Sequence, residues 1–167
     1  MPFQGHFPKA SSKGEFLHLD LCGPITPPLE SGAKFFLQIV DSFSCYVWVF
    51  FLQTKSEAKE KIKNLILKIQ KTPASTVSNI VSDNGTEFKN LDLLSFFQKE
   101  GISHLVTSPY TPQQNPIAER GNRTTVNKAR CLLKESGLPL SYWAEAVNTA
   151  VYLENLTPNS SILFENH

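Results

Sequence analysis

Apolar positions first alternate with polar ones and then recur at helical spacing, in a regular order along the chain. Phe16, Leu17, Leu19 and Leu21 form a short apolar run interrupted by His18 and Asp20 and stopped by Gly23-Pro24, which predicts a first strand over 16–21. Pro24, Pro27, Pro28 and Gly32 make the next ten residues a loop. Residues 34–40 and 46–52 are rich in β-branched and aromatic side chains and flank Asp41-Ser42-Phe43-Ser44, the pattern of a hairpin. Ile62, Leu65, Ile66 and Ile69 then fall on one face of a helix over 59–69, with Ser56 as its expected N-cap and Pro73 beyond its end. A strand over 77–82 ends at Asp83-Asn84-Gly85. A helix over 88–100 ends at Gly101, and a fifth strand covers 102–106. A long helix runs from Gln113 or Ile117 to Glu135, closed by Gly137-Leu138-Pro139, and Ser141 is the expected cap of a last helix reaching about Asn155. This order fits a mixed five-stranded sheet flanked by helices, an α/β domain. Residues 1–13 read as a flexible lead-in, 14–158 as the domain and 159–167 as a tail.

Length and composition narrow this picture only a little. A chain of 167 residues suits one domain, and an apolar fraction of 41% suffices for a core. The net charge of +1 lacks the basic surplus by which many DNA-binding modules are recognised, so any contact with nucleic acid has to come from a local patch. Cys22, Cys45 and Cys131 are far apart, with no histidine at zinc-ligand spacing, and are expected to be reduced thiols of an intracellular protein. The N-terminus has no apolar core of a signal peptide, and the most apolar stretch is broken by Gln38, Asp41, Ser42 and Ser44, so no membrane span is expected.

Three acids stand out by position. Asp20 ends the first strand, Asp83 ends the fourth, and Glu119 lies one or two turns into the long helix. Sites in α/β domains tend to form at strand ends. Magnesium is held by one or two carboxylates together with water and phosphate, and two such ions about 3.5–4 Å apart can flank a phosphate. Two ions need one shared carboxylate and one private to each. Each acid also has an ordinary reading: Asp83 before Asn84-Gly85 as a turn former, Glu119 as a solvated helix residue, Asp20 as a half-buried hydrogen-bonded strand residue. His18, His104 and Trp143 read as structural. Pattern alone therefore leaves a mixed α/β domain of open function.

Three motifs alter that balance. His18-Leu19-Asp20-Leu21-Cys22-Gly23-Pro24, Ser82-Asp83-Asn84-Gly85-Thr86-Glu87-Phe88, and the run from Ser108-Pro109-Tyr110-Thr111-Pro112 through Asn115-Pro116-Ile117-Ala118-Glu119-Arg120-Gly121-Asn122-Arg123 resemble the signatures of copia-type retrotransposon integrases. Thirty-five residues separate Asp83 from Glu119, the spacing of the retroviral-type Asp-Asp-Glu triad. Leu138-Pro139 with Tyr142-Trp143-Ala144-Glu145-Ala146 resembles the stretch that follows in these elements. The resemblance covers roughly residues 8–158.

It implies the integrase catalytic core of a Pol polyprotein, with an RNase H-like fold and two Mg²⁺ or Mn²⁺ ions on Asp20, Asp83 and Glu119. It also implies processing of DNA 3′ ends and their transfer into target DNA, carried out by a homo-oligomer in the nucleus. Asn115, Asn122 and Arg123 lie on the Glu119 side of the helix at i−4, i+3 and i+4, and Arg130 continues that stripe. With Arg120 and Lys128 they are candidate contacts for phosphates and bases, the alternative being a solvated face. Ala118, Thr125, Ala129 and Leu132 form the packing stripe. Tyr110 and the loop over 107–114 resemble the family's mobile active-site loop.

Three departures stand against full equivalence. Pro116 replaces the family's glycine, which predicts a sharp helix start with Asn115 as N-cap. A lysine usual near Gly121 and an arginine usual near Cys45 are missing. No zinc-binding His-His-Cys-Cys module, basic C-terminal region, protease or reverse transcriptase occurs within these residues. A non-catalytic integrase-derived domain that binds DNA or protein is therefore the alternative.

Overall fold

The computed structural model describes residues 9–107 and 116–157. Its elements are β1 (Phe16–Cys22), β2 (Phe35–Asp41), β3 (Val47–Leu52), α1 (Ala58–Gln70), β4 (Asn79–Ser82), α2 (Leu91–Lys99), β5 (Ser103–Val106), α3 (Pro116–Ser136) and α4 (Trp143–Leu156). The sheet order is β3-β2-β1-β4-β5. β1 and β2, and β2 and β3, are antiparallel hairpin neighbours, whereas β4 pairs parallel with β1 and with β5. Parallel neighbours need a crossover, and α1 and α2 provide the two crossovers here. This is the mixed five-stranded sheet that the pattern predicts.

Strand periodicity divides the side chains between two layers. Leu17 and Leu19 of β1, with Leu37 and Ile39 of β2, face α1 and α2 and join Ile62, Leu65, Ile66, Leu93 and Phe97 in the main core. Each such aliphatic side chain, fully buried, stabilises the fold by about 1.5–3 kcal/mol. Phe36 faces the opposite layer, where it meets Ala129 of α3 and Trp143, Ala146, Val147 and Ala150 of α4. Trp143 Nε1 donates to the carbonyl of Pro27 at 2.9 Å, which ties α4 to the proline-rich loop. β2 is buried along its whole length because both faces are covered. Asp20, one strand over from it, lies on the α3 side.

Several boundaries differ from the sequence expectation, each for a local reason. Ser56 does not cap α1. The chain enters through a 3-10 turn at Lys55–Glu57, and Glu57 Oε1 accepts from Thr54 N at 3.0 Å, the return half of a capping box. α2 starts at Leu91 rather than 88, because Thr86–Phe88 forms a 3-10 turn of its own and Asn90 Oδ1 accepts from Asp92 N at 2.9 Å. Leu140–Tyr142 likewise forms a 3-10 turn, so α4 starts at Trp143 without Ser141 as its cap. Gly101 and Gly137, with φ of +68° and +66°, follow α2 and α3 as expected. α3 begins at Pro116. Its expected cap Asn115, Tyr110 and most of the 107–114 loop lie outside the described residues, as does the 159–167 tail. Within the lead-in, Ala10 is buried with Phe16 and Val81. Among the described residues no helix is long and apolar enough to cross a membrane.

Candidate active site

Register brings the first two acids together. His18 pairs with Val81 across the parallel β1–β4 ladder, and the same offset carried two residues further sets Asp20 beside Asp83. Asp83 is exposed just past β4, and its Oδ1 accepts from Gly85 N at 2.9 Å, so it does form the turn its sequence suggests. Ser82, buried beneath it, donates to the Asp83 carbonyl at 2.9 Å and meets His104 Nε2 at 2.8 Å.

α3 crosses this sheet face. Asn122 Nδ2 donates to Asp20 Oδ2 at 2.8 Å and joins helix to strand. Asp20, Glu119, Asn122, Arg123 and Arg130 line one cleft of about 400 Å³, together with Cys22, Val126 and Asn127. Four of the sequence-predicted helix residues therefore share a wall with Asp20. Asp83 is not among the residues lining that cleft. Lys128 lies on the other side of α3, 3.6 Å from Glu154 of α4, beside Thr125, whose hydroxyl donates to the same carboxylate at 3.2 Å. Arg120 is exposed on the first turns of α3. Val126 and Asn127 are not marked by the sequence, and Cys22 is marked there only as a reduced thiol within the first motif. Asn127 lies eight residues after Glu119, and helical periodicity alone would have found it.

Electrostatics link all three acids. Burial pushes the Asp20 carboxyl above its ordinary range, the Asn122 hydrogen bond pulls it back, and repulsion from Asp83 and then Glu119 adds to the rise. The Cys22 thiol is also raised, by burial and then by the Asp20 charge, against the opposing pull of Arg130. It is therefore a thiol rather than a thiolate at neutral pH. Among the described residues no three His, Cys, Asp or Glu side chains are grouped closely enough to hold a metal ion. The arrangement is thus a half-buried carboxylate sensing two others, with arginines along one wall.

Comparison with known proteins bears on the family and the fold. The family model described as the integrase core domain matches residues 10–112 and stops short of Glu119. The retrovirus-related Pol polyprotein from transposon TNT 1-94 of Nicotiana tabacum is 35% identical over 151 residues, covering 90% of this chain and 11% of the relative. The corresponding polyprotein from transposon RE1 of Arabidopsis thaliana is 33% identical over 132 residues, 79% of this chain and 9% of the relative. The RE2 polyprotein from the same plant is 28% identical over 158 residues. The chain thus spans about a tenth of the length of these relatives. Among solved structures, a chain of the simian T-cell lymphotropic virus intasome in complex with PP2A regulatory subunit B56 gamma superposes with a TM-score of 0.68 at 20% identity. That superposition covers 91% of this chain and 52% of the other, a likeness of fold.

Proposed function

The chain belongs to the integrase core domain family, in the form carried by retrotransposon Pol polyproteins, and from that premise we propose that it is a polynucleotidyl transferase core that processes DNA 3′ ends and joins them to target DNA. The observation that carries this reading is the Asp20 carboxylate, half-buried against α3, held by Asn122 and repelled by both Asp83 and Glu119. A carboxylate whose proton affinity is raised by burial and by two neighbouring acids belongs to a donor set suited to a hard divalent cation, which would relieve that repulsion. Carboxylate oxygens are the donor type that suits Mg²⁺ or Mn²⁺, and holding an ion would require the three acids to draw closer than they stand among the described residues. Asp20 is the carboxylate best placed to be shared, with Asp83 and Glu119 one to each side.

Bound there, such ions would supply charge stabilisation at the phosphate and lower the pKa of the attacking oxygen. The chain's own residues do the rest. Asn122 fixes the rotamer of Asp20, so the carboxylate does not have to be organised as the reaction proceeds. Arg123 and Arg130, on the same cleft wall, hold the phosphate backbone of the DNA end, and Asn127 offers a neutral donor between them. Arg120 extends the basic edge of α3 towards Glu119. Lys128, turned to Glu154, takes no part in this reading. Asn115 and Tyr110 stay in it as contacts of the loop that leads into α3. Repetition around DNA as a homo-oligomer, and action in the nucleus, belong to the same reading.

The test is joining of a labelled duplex end to plasmid DNA by the 167-residue chain, with Mg²⁺ or Mn²⁺. Product is expected to form and to disappear with Asp83→Asn, with Glu119→Gln and with excess chelator, while circular dichroism shows each variant folded. Product that survives Asp83→Asn would assign the activity elsewhere. DNA binding without product in either metal would favour the non-catalytic reading.

A further inference from the structure

Gln38 is 1% exposed, and neither its Nε2 nor its Oε1 has a hydrogen-bond partner. Among the described residues one other buried side-chain atom is in that condition, Asn122 Oδ1. A buried amide without partners is costly and calls for a role. Asp41 of the same strand shows the usual outcome: its buried carboxylate accepts from the backbone N–H groups of Gly14, Phe43 and Ser44 and from the Ser44 hydroxyl.

The two unsatisfied side chains are neighbours. Gln38 is the antiparallel partner of Asp20, so both side chains rise from the same sheet face, beneath α3. Helix and strand approach so closely there that a Cβ added to Gly121 would lie 3.0 Å from Gln38 Nε2 and 3.3 Å from Val40 Cγ2. Asn122 is the next residue along the helix. Its Nδ2 reaches Asp20 while its Oδ1 remains unpaired. An asparagine amide that turns over presents its oxygen to the carboxylate and replaces attraction with repulsion. A donor on the Oδ1 side would prevent that turn, and the buried, unpartnered Gln38 amide stands on the strand paired with Asp20, close to Gly121. The terminal amide torsion of glutamine is soft.

We propose that Gln38 is a positioning residue for the acidic site: rotation about its soft terminal torsions brings its unpartnered Nε2 to the unpartnered Asn122 Oδ1, which holds Asn122 Nδ2 towards Asp20 and fixes the carboxylate. The consequence for metal binding rests on the reading of Asp20 given above, whereas the amide relay does not.

The experiment compares the 167-residue chain with Gln38→Met, which keeps the shape and removes the polar atoms, with Asn122→Ala, and with the double variant. Hydrogen exchange of the Asn122 side-chain NH₂, followed by NMR in chelator, is expected to quicken about tenfold in Gln38→Met while the melting temperature holds or rises. Affinity for Mn²⁺ alone, read from water-proton relaxation, is expected to fall about tenfold, the lower end of the scale seen when a partner of a metal ligand is removed. The double variant should bind Mn²⁺ no more weakly than Asn122→Ala, because Gln38 acts through Asn122. Should Gln38→Met not fold, Gly121→Ala, which pushes the helix off Gln38 Nε2, is expected to give the same two changes in smaller measure. Unaltered Asn122 exchange overturns the relay, and so do losses that add in the double variant. A parent chain that binds no Mn²⁺ sinks the metal reading instead, and the exchange measurement then decides the relay by itself.

Discussion

Ser82 has a single hydroxyl hydrogen and gives it to the Asp83 carbonyl, so the 2.8 Å contact with His104 requires the ring nitrogen Nε2 to be the donor. An Nε2–H is carried by the neutral ring and by the imidazolium alike, and the ring lies 5.5 Å from that of Phe97. Burial, and then the charge of Lys89, lower its pKa below 6.5. A depressed histidine pKa means that the unfolded chain binds the proton more readily. The neutral ring's contribution to stability is thus complete above pH 6.5 and lost as pH falls through the lower folded value. Melting temperature should drop between about pH 7 and about pH 5, and should drop less in His104→Gln. An equal fall in the two proteins places the acid sensitivity elsewhere. At this scale the sequence was informative where a residue belongs to a local motif: Asp20, Glu119, Asn122, Arg123 and Arg130 meet at one cleft. It was uninformative where position depends on a second strand. Gln38 sits in an apolar run with nothing beside it in sequence to mark it, and only pairing with Asp20 and the approach of Gly121 give it meaning. Lys128 shows the limit of composition without phase, since a residue nine positions after Glu119 is half a turn out of register on a helix.

Helix α4 has a second task besides packing. β3 is an edge strand, and its outer N–H and C=O groups would otherwise face solvent or another chain. Asn155, at the end of α4, covers them with one side chain: its Oδ1 accepts from Val47 N and its Nδ2 donates to Val47 O, each at 2.8 Å. Asn155→Ala removes both bonds from a partly buried pair and should cost about 1–3 kcal/mol. For a domain of this size that lowers the melting temperature by several degrees, at about 2–4 °C per kcal/mol. Asn155→Asp keeps the acceptor but sets a carboxylate against the Val47 carbonyl, so it should be no better than alanine. Calorimetric melts of the three proteins check this, and a loss-free alanine variant would show that water replaces the clasp. The elements themselves were legible because their signals are local: alternation in β1, helical spacing of Ile62, Leu65 and Ile66, glycines after α2 and α3. Their starts were less so. Thr54 with Glu57 outcompetes Ser56, and Asn90 outcompetes an earlier start at Phe88, through hydrogen bonds that several cap-forming residues in a row leave undecided.

Over the whole molecule, a net charge of +1 conceals an uneven distribution. Lysines on the α1 side stand beside acids: Lys55 lies 3.9 Å from Glu87, and Lys59 and Lys63 lie 3.3 and 2.8 Å from Asp92. Lys128 has Glu154. An adjacent acid cancels most of the field that each lysine would offer a phosphate. Arg123 and Arg130 of α3 line the acidic cleft, and Arg120 lies on the first turns of the same helix. A protein that neutralises Z phosphates of duplex DNA loses affinity with a log–log salt slope of about −0.9Z, so three arginines give a slope of about −3. Binding should be weak and nearly indifferent to sequence, because contacts to phosphate position DNA without reading it. Arg123→Ala and Arg130→Ala should each flatten the slope by about 1, whereas Lys128→Ala should leave it unchanged. The measurement is fluorescence anisotropy of a labelled duplex from about 50 to about 200 mM salt. A slope near −8 would reveal a basic surface outside α3, and a flatter slope in Lys128→Ala would mean that DNA competes with Glu154 for the same lysine.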